Sequence, residues 1–205
     1  MINTTTEIIA KEGWKYIAIS FGLFFLFFMA GFGFLAFLFI LVTACNIYIF
    51  RNPEREPSSL DENIITSPID GIVGEIKENS NFNIIKINHS FLDSHILRSP
   101  LKMDIEKIQK RNGLFLNSKN PKAKKLNETH QIFANTKFGE IIIKLMPSRC
   151  SRKIDFFDRD KFSAGARFGI LMDGFLELYL PKSIKISTEI GDRVIARNSI
   201  IAKAN

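Results

Sequence analysis

The sequence predicts an α+β fold, with an N-terminal transmembrane helical hairpin followed by a mostly β domain of barrel-sandwich type. One observation is that no charged residue occurs from Tyr16 to Phe50, and ten of the 20 phenylalanines lie between Phe21 and Phe50. Another is that the remaining chain contains short alternating stretches rich in β-branched residues, which favour strands. We therefore predict an N-terminal segment at 1–15, a membrane hairpin at 16–50 and a soluble domain at 51–205.

The uncharged run is too long for one straight transmembrane helix. Its 35 residues would make a helix of about 52 Å, whereas the hydrocarbon core of a bilayer is about 30 Å thick. Gly31 and Gly33 interrupt the run near its middle, and glycine favours a turn there. The sequence therefore predicts two helices, at about 16–30 and 34–50.

Basic residues flank both ends of this run. Lys11 and Lys15 precede it, and Arg51 and Arg55 follow it. The positive-inside rule then places both ends, and the domain that follows, on the cytoplasmic side of the cell (inner) membrane. A single tilted span, which would put the domain outside, stays an alternative, as does lipoprotein processing at Cys45.

Composition excludes several classes of protein. Only Cys45 and Cys150 are present, so the chain is not a disulfide scaffold. Residues 51–205 carry a formal charge of +7, which suits an anionic membrane surface or an anionic ligand. The spacing of residues indicates no metal, nucleotide or nucleic acid as cofactor or partner.

The soluble domain is predicted to consist mainly of strands. Residues 51–61 read as a polar linker and residues 118–125 as a basic loop. A weak repeat relates 160–171 to 192–203, which suggests a small two-fold β sandwich. The stretches predicted as strands are 71–76, 84–87, 140–145 and 176–180.

Asp70 and His95 are the residues best suited to acid–base chemistry. Asp70 belongs to the turn sequence Ser67-Pro68-Ile69-Asp70-Gly71, which by itself indicates a β-turn. His95 stands among apolar residues, where a histidine is more often a hydrogen-bonded structural residue than a general base. From the residues alone, the structural and the functional interpretation both stay open.

Taken in order, several short motifs resemble one family. They are FRNPER at 50–55, SPIDG at 67–71, HILRSP at 95–100, GLFLN at 113–117, RFG at 167–169 and YLP at 179–181. Together with the apolar run, they make nearly the whole chain resemble the short bacterial and archaeal phosphatidylserine decarboxylases. FRNPER and SPIDG, with their spacing to the apolar run, are the most specific of these motifs.

The resemblance implies a lipid enzyme of phospholipid biosynthesis. The family converts phosphatidylserine to phosphatidylethanolamine, and its electron sink is a pyruvoyl group made by self-cleavage at a Gly-Ser bond. It further implies that Asp70 and His95 activate that serine hydroxyl and that His95 acts near the headgroup. Arg98 and the loop residues Phe115 and Asn117 would bind close to the lipid phosphate.

This chain departs from the family pattern at the cleavage site. Members read RFG, four residues, Gly-Ser, three residues and then a hydrophobic residue before YLP, and this chain is one residue shorter. The simplest alignment keeps Gly174 and deletes the serine, so that Phe175 follows. Because Phe175 has no hydroxyl for an N-to-O acyl shift, we expect that this chain does not form its own pyruvoyl group.

Three functions follow as hypotheses. The first is a phosphatidylserine-decarboxylase-family protein of lipid metabolism, a carboxy-lyase by resemblance, bound to membrane phospholipids. The second is a pseudoenzyme with the same fold, a phospholipid-binding or regulatory subunit that pairs with an active paralogue or another copy. The third, a membrane-tethered carrier or adaptor domain, rests only on the internal repeat.

Overall fold

The computed structural model describes residues 9–10, 13–53, 55–56, 61–117, 120–151, 154–156 and 159–204. The chain divides into two compact units, residues 1–54 and 55–205. Most of the predicted N-terminal segment, part of the predicted linker (54 and 57–60) and the first two residues of the predicted basic loop (118–119) lie outside the described residues.

The first unit is a pair of helices, α1 (Trp14–Met29) and α2 (Gly33–Ile49). The chain reverses at Gly31, whose φ of 77° is a conformation that favours glycine. Small and polar side chains face each other between the helices: the Thr43 hydroxyl donates to the Ser20 hydroxyl at 3.0 Å. Most of the aromatic side chains of these helices are exposed, Phe34 by 80%.

The prediction of a transmembrane hairpin, and with it the α+β fold class, is wrong. The two helices contain 16 and 17 residues, whereas a membrane-spanning helix needs about 20. No helix in the described part of the chain is both long enough and apolar enough to span a bilayer. The turn at Gly31 divides the uncharged run into two short helices, and the described chain is mostly β sheet with few helices.

The described part of the second unit consists of strands and one short helix, α3 (Ala123–Leu126). The described strands are β1 (Ile64–Thr66), β2 (Gly71–Glu78), β3 (Phe82–His89), β4 (Ile96–Arg98), β5 (Met103–Arg111), β6 (Thr129–Thr136), β7 (Gly139–Pro147), β8 (Asp155–Phe156), β9 (Lys161–Phe162), β10 (Arg167–Ile170), β11 (Gly174–Pro181), β12 (Ile184–Ile186), β13 (Arg193–Val194) and β14 (Ile200–Ala204). The four stretches predicted as strands lie in β2, β3, β7 and β11.

These strands form three antiparallel sheets. The largest has the order β13-β2-β3-β11-β7-β6-β5-β9, and two three-stranded sheets have the orders β1-β14-β12 and β4-β10-β8. The two halves of the sequence repeat contribute β9 and β13, which form opposite edges of the largest sheet. Alternation in the central strands separates two faces, because successive side chains of a strand point to opposite sides.

One face of the largest sheet bears the hydrophobic core. Along β3 and β11 the core residues are Ile85 and Ile87, and Leu176, Leu178 and Leu180, all fully buried. The opposite face, here called the outer face, bears Ile84, Lys86, Ile142, Lys144, Phe175, Glu177 and Tyr179. The alternation of β3 places His89 on the core side, at the end of the strand.

Candidate active site

Asp70 ends a buried turn that leads into β2. The turn is held by the Ser67 hydroxyl, which donates to the Ile69 carbonyl at 2.6 Å. The Asp70 carboxylate accepts hydrogen bonds from both terminal nitrogens of Arg55, and Arg55 Nη2 lies 2.5 Å from Asp70 Oδ2. It also accepts the backbone N–H of Ala196 at 2.9 Å. The carboxylate is therefore occupied by a bidentate cation and a backbone donor.

The backbone carbonyl of Asp70 begins a different hydrogen-bond chain, through two histidines. His89 Nδ1 lies 2.8 Å from the Asp70 carbonyl oxygen, and His89 Nε2 lies 3.1 Å from His95 Nδ1. Burial lowers the pKa of His89, so its imidazole is neutral near pH 7. Since a carbonyl can only accept, His89 donates from Nδ1 and accepts at Nε2.

The same hydrogen bonds fix the tautomer of His95 as well. His95 Nδ1 must donate to the unprotonated His89 Nε2, so a neutral His95 has its basic lone pair on Nε2. His95 is only 3% exposed and precedes β4. Its carbonyl accepts the Leu171 N–H at 2.9 Å, which brings the segment between β10 and β11 beside it.

A tight turn before β4 sets the position of His95. Asp93 accepts the Ser90 N–H at 3.1 Å, and its other carboxylate oxygen lies 2.7 Å from Arg193 Nη2. None of the sequence motifs includes His89, so no role was predicted for it. The period-two pattern Ile85, Ile87, His89 could have indicated it, because it places this histidine on the core side of β3.

Arginines cluster around Asp70 and Gly165. Arg98 is 4% exposed and donates to the Gly165 carbonyl at 3.2 Å. Burial and the nearby charges of Arg167, Arg55 and Arg197 lower its pKa to about 10, and Asp70 partly opposes them. Guanidinium groups bind carboxylates and phosphates through paired N–H donors, so the composition of this cluster suits an anionic ligand.

Two backbone features bring Arg197 into the cluster. Arg197 has a φ of 67°, the one positive φ among the described non-glycine residues. A Cβ atom on Gly165 would lie 2.8 Å from three side-chain atoms of Arg197. Glycine at position 165 therefore lets the Arg197 side chain pass close to the backbone, and the unfavourable φ of Arg197 is typical of functional sites.

Gly174 and Phe175 begin the central strand β11. Gly174 has a φ of 140°, and a Cβ there would lie 2.2 Å from the Met146 carbonyl oxygen, so glycine is required. Gly174 pairs with His89 of β3, and Phe175 pairs with Asn88. The Phe175 side chain is 3% exposed. In the sequence, no serine, threonine or cysteine occurs from 164 to 182.

The predicted phosphate loop is anchored to the same end of the sheet. Asn127 accepts the Leu116 N–H at 2.8 Å and donates to the Leu116 carbonyl at 2.8 Å and to the Pro147 carbonyl at 3.2 Å. Pro147 is the partner of Gly174 in β7. Phe115 is half-buried and Asn117 is exposed. The structure thus links Asp70 to His95 through His89, and connects the loop to Gly174 through Asn127.

A buried pair of a histidine and a glutamate follows Asn127 in the sequence. His130 Nε2 is 2.8 Å from Glu128 Oε1, and Lys110 Nζ is 3.2 Å from Glu128 Oε2. Burial alone would raise the pKa of Glu128, but the hydrogen bonds from His130 and Lys110 lower it. Within the described ranges no group of carboxylates, histidines and cysteines is arranged to hold a metal.

Comparison with known proteins assigns this sequence to a class, the decarboxylases of phospholipid metabolism. The model of the phosphatidylserine decarboxylase family matches residues 42–202. The phosphatidylserine decarboxylase proenzyme of Burkholderia vietnamiensis (strain G4 / LMG 22486) is 30% identical over 213 residues, covering 98% of this chain and 99% of that protein. The chain belongs to the phosphatidylserine decarboxylase family, as the motifs predict.

Proposed function

We propose that this chain is a phospholipid-metabolism member of the family that binds the lipid headgroup and does not form its own pyruvoyl group. The observation that carries this proposal is Phe175 after Gly174, in a stretch without serine, threonine or cysteine from 164 to 182. The family's pyruvoyl group arises from the serine that follows the glycine at the cleaved bond. A phenylalanine supplies no oxygen for an ester intermediate.

The surroundings of Gly174 also fit a pyruvoyl group poorly. Gly174 and Phe175 pair with β3 and β7 on both sides. Phe175 is buried and lies under the ammonium of Lys86, 4.2 Å from its ring centroid. The side chain after Gly174 thus belongs to the outer face of the sheet, and the remaining site residues are proposed to act without a pyruvoyl group in this chain.

The retained residues support headgroup binding. Arg98 and Arg197 flank Gly165 and provide positive charge for the lipid phosphate, the role that we predicted for Arg98. Phe115 and Asn117 extend the proposed binding site at the loop. The tautomer of His95 leaves Nε2 as a hydrogen-bond acceptor, suited to a headgroup ammonium.

The proposed partner is a phospholipid membrane, approached at the cytoplasmic face of the cell membrane. Exposed aromatic side chains on α1 and α2, among them Trp14, Phe25 and Phe34, favour contact with an apolar phase without crossing it. The formal charge of +7 on residues 51–205 favours anionic lipid surfaces.

A second candidate function is a regulatory subunit of an active paralogue. The observation that favours it is the row of hydrogen bonds that joins Asp70, His89 and His95. This row lies beside β11, and residues 164–182 contain no serine, threonine or cysteine as a nucleophile. Co-purification and decarboxylase activity with and without such a paralogue would distinguish a regulatory subunit from an independent lipid-binding protein.

Intact-mass spectrometry and a denaturing gel of the full chain test the central proposal. We expect one species at 23.4 kDa, no reaction with a carbonyl reagent, and no phosphatidylserine decarboxylation by the chain alone. A short C-terminal fragment that reacts with the reagent would overturn the proposal. Headgroup binding is measured separately with phosphatidylserine micelles, where Arg98→Met should weaken binding and the exposed Lys203→Met should not.

A further inference from the structure

The outer face of the largest sheet carries a ladder of charges that crosses four strands. Glu75 of β2 pairs with Lys86 of β3, Lys86 pairs with Glu177 of β11, and Glu177 pairs with Lys144 of β7. Opposite charges directly across an antiparallel pair attract. These four residues neutralise one another formally, and they face away from the core side on which His89 lies.

Glu177 is the buried member of this ladder. It is 4% exposed, and its Oε2 atom lies 2.9 Å from Lys144 Nζ and accepts the Tyr179 hydroxyl at 3.0 Å. Burial would raise the pKa of Glu177, but hydrogen bonds from Lys144 and Tyr179 lower it. Burial together with the Glu177 charge raises the pKa of Tyr179 to about 12. The carboxylate is therefore ionised and already compensated.

Two more lysines surround the ladder and leave an excess of positive charge. Lys124 of α3 lies 3.8 Å from Glu177 Oε1, and Lys77 lies beside Glu75. The hydrogen bond from Lys77, with the charges of Lys86 and Lys124, lowers the pKa of Glu75. With four lysines and two glutamates, the cluster has a formal charge of +2.

Most of these side chains, but not Lys144, line a small cavity of about 50 Å³. Its lining is Glu75, Lys77, Ile84, Lys86, Lys124, Glu177 and Tyr179. The Lys86 ammonium lies over the Phe175 ring, and within the described part of the chain no carboxylate lies within ion-pair distance of it. A small anion in this cavity would therefore meet Lys86 and Lys124 without displacing the Lys144 pair.

We propose that this cavity binds a phosphate group. The lining contains three lysines and two glutamates, a formal excess of +1. A singly charged phosphate group matches this excess, and ammonium groups bind phosphate as point charges. The site lies on the opposite face of the sheet from His89, so it does not depend on the proposed function at Asp70 and His95. Both a lipid headgroup and free phosphate present this chemistry.

Lysine footprinting on the full chain tests the site directly. Acetylation of Lys77, Lys86 and Lys124 is quantified by peptide mass spectrometry with inorganic phosphate, with phosphatidylglycerol vesicles, or with phosphatidylcholine vesicles, at constant ionic strength. At a tenfold excess over Kd a single site is about nine-tenths occupied, so labelling of Lys86 and Lys124 should fall up to about tenfold. Lys161 and Lys203 are the exposed references.

Comparing these additions distinguishes a soluble source of the phosphate group from a lipid source. Protection by inorganic phosphate alone supports a soluble ligand, and protection by phosphatidylglycerol alone supports a lipid headgroup. A Lys86→Gln/Lys124→Gln variant should lose the protection of Lys77, whereas the matched Lys161→Gln/Lys203→Gln variant should keep it. Absence of protection in every arm, or equal protection of Lys161 and Lys203, would overturn the proposal, whatever the outcome at Arg98.

Discussion

Gly174 lies directly opposite His89 across the pairing of β3 with β11. The position at which we propose that this chain lacks the family's serine therefore directly follows the cross-strand neighbour of the histidine that joins Asp70 to His95. Since Leu171 also donates to the His95 carbonyl, the segment that leads into Gly174 is held beside both histidines. The geometry keeps Gly174 and the proposed acid–base residues together.

The Asp70→Asn substitution should destabilise the second unit. It leaves Arg55 facing a neutral amide, and the two partners are 13% and 11% exposed in their side chains. Removing one partner of a buried ion pair costs about 3–5 kcal/mol, less where water reaches the pair. We expect a loss of about 2–4 kcal/mol in the free energy of unfolding, measured by urea denaturation.

Glu78→Gln is the matched control for Asp70→Asn. Glu78 also pairs with a cation, Lys182, but the side chains are 72% and 39% exposed. An exposed pair contributes at most about 1 kcal/mol. Equal effects of the two substitutions would contradict the structural role given to Asp70.

Some of this arrangement could be predicted from the sequence, and some could not. Alternation identified β2, β3, β7 and β11, because it follows from burial of one face. The motifs predicted roles for Asp70 and His95, and these roles stay predictions. The alternation of β3 could have placed His89 on the core side. Its hydrogen bond to the Asp70 carbonyl could not be predicted, because the sequence does not show which backbone group lies beside it.

The hairpin shows a different limit of prediction. The uncharged run from Tyr16 to Phe50 correctly suggested two helices that reverse at Gly31. The helices have 16 and 17 residues, close to the predicted lengths. The transmembrane prediction is wrong because helices of this length fall short of the about 20 residues that a span needs. Likewise, the arginine cluster joins positions 55, 98, 167 and 197, which only the fold brings together.

Stability should decrease when the pH falls below about 6.5, because of His89. Burial lowers its folded-state pKa, while the unfolded chain titrates near 6.5. The unfolded state therefore binds more protons below that pH, and stability is lost as the pH falls from 6.5 towards the folded pKa. His89 changes the free energy of unfolding by at most about 1.4 kcal/mol per pH unit.

His89→Asn isolates this contribution. The asparagine amide can still donate towards the Asp70 carbonyl but does not titrate. Urea denaturation at pH 7.0, 6.0 and 5.5 should give a smaller decrease for the variant than for the unmodified chain. The same decrease in both would show that His89 is not the group responsible.

Inserting one serine between Gly174 and Phe175 should restore self-cleavage. The insertion recovers the family's spacing to Tyr179-Leu180-Pro181 and places a hydroxyl at the His89 end of β11. The added residue must be absorbed as a bulge at the start of the strand, because a shift of register would turn Leu176 to the outer face. β2 already contains such an irregularity between Val73 and Glu75.

We expect the inserted chain to split into a large N-terminal fragment and a C-terminal fragment of about 30 residues. The hydroxyl adds to the Gly174 carbonyl and displaces the serine nitrogen to give an ester. β-Elimination then releases the Gly174 carboxylate and leaves a dehydroalanine, which water converts to the pyruvoyl group and ammonia. Inserting alanine at the same point imposes the same bulge without a hydroxyl, so that control should stay intact. His95→Ala in the serine-inserted chain should also prevent splitting if His95 Nε2 accepts the hydroxyl proton. Splitting that persists without His95 would instead assign the activation to another group, and cleavage of the alanine control would show that strain alone breaks the bond.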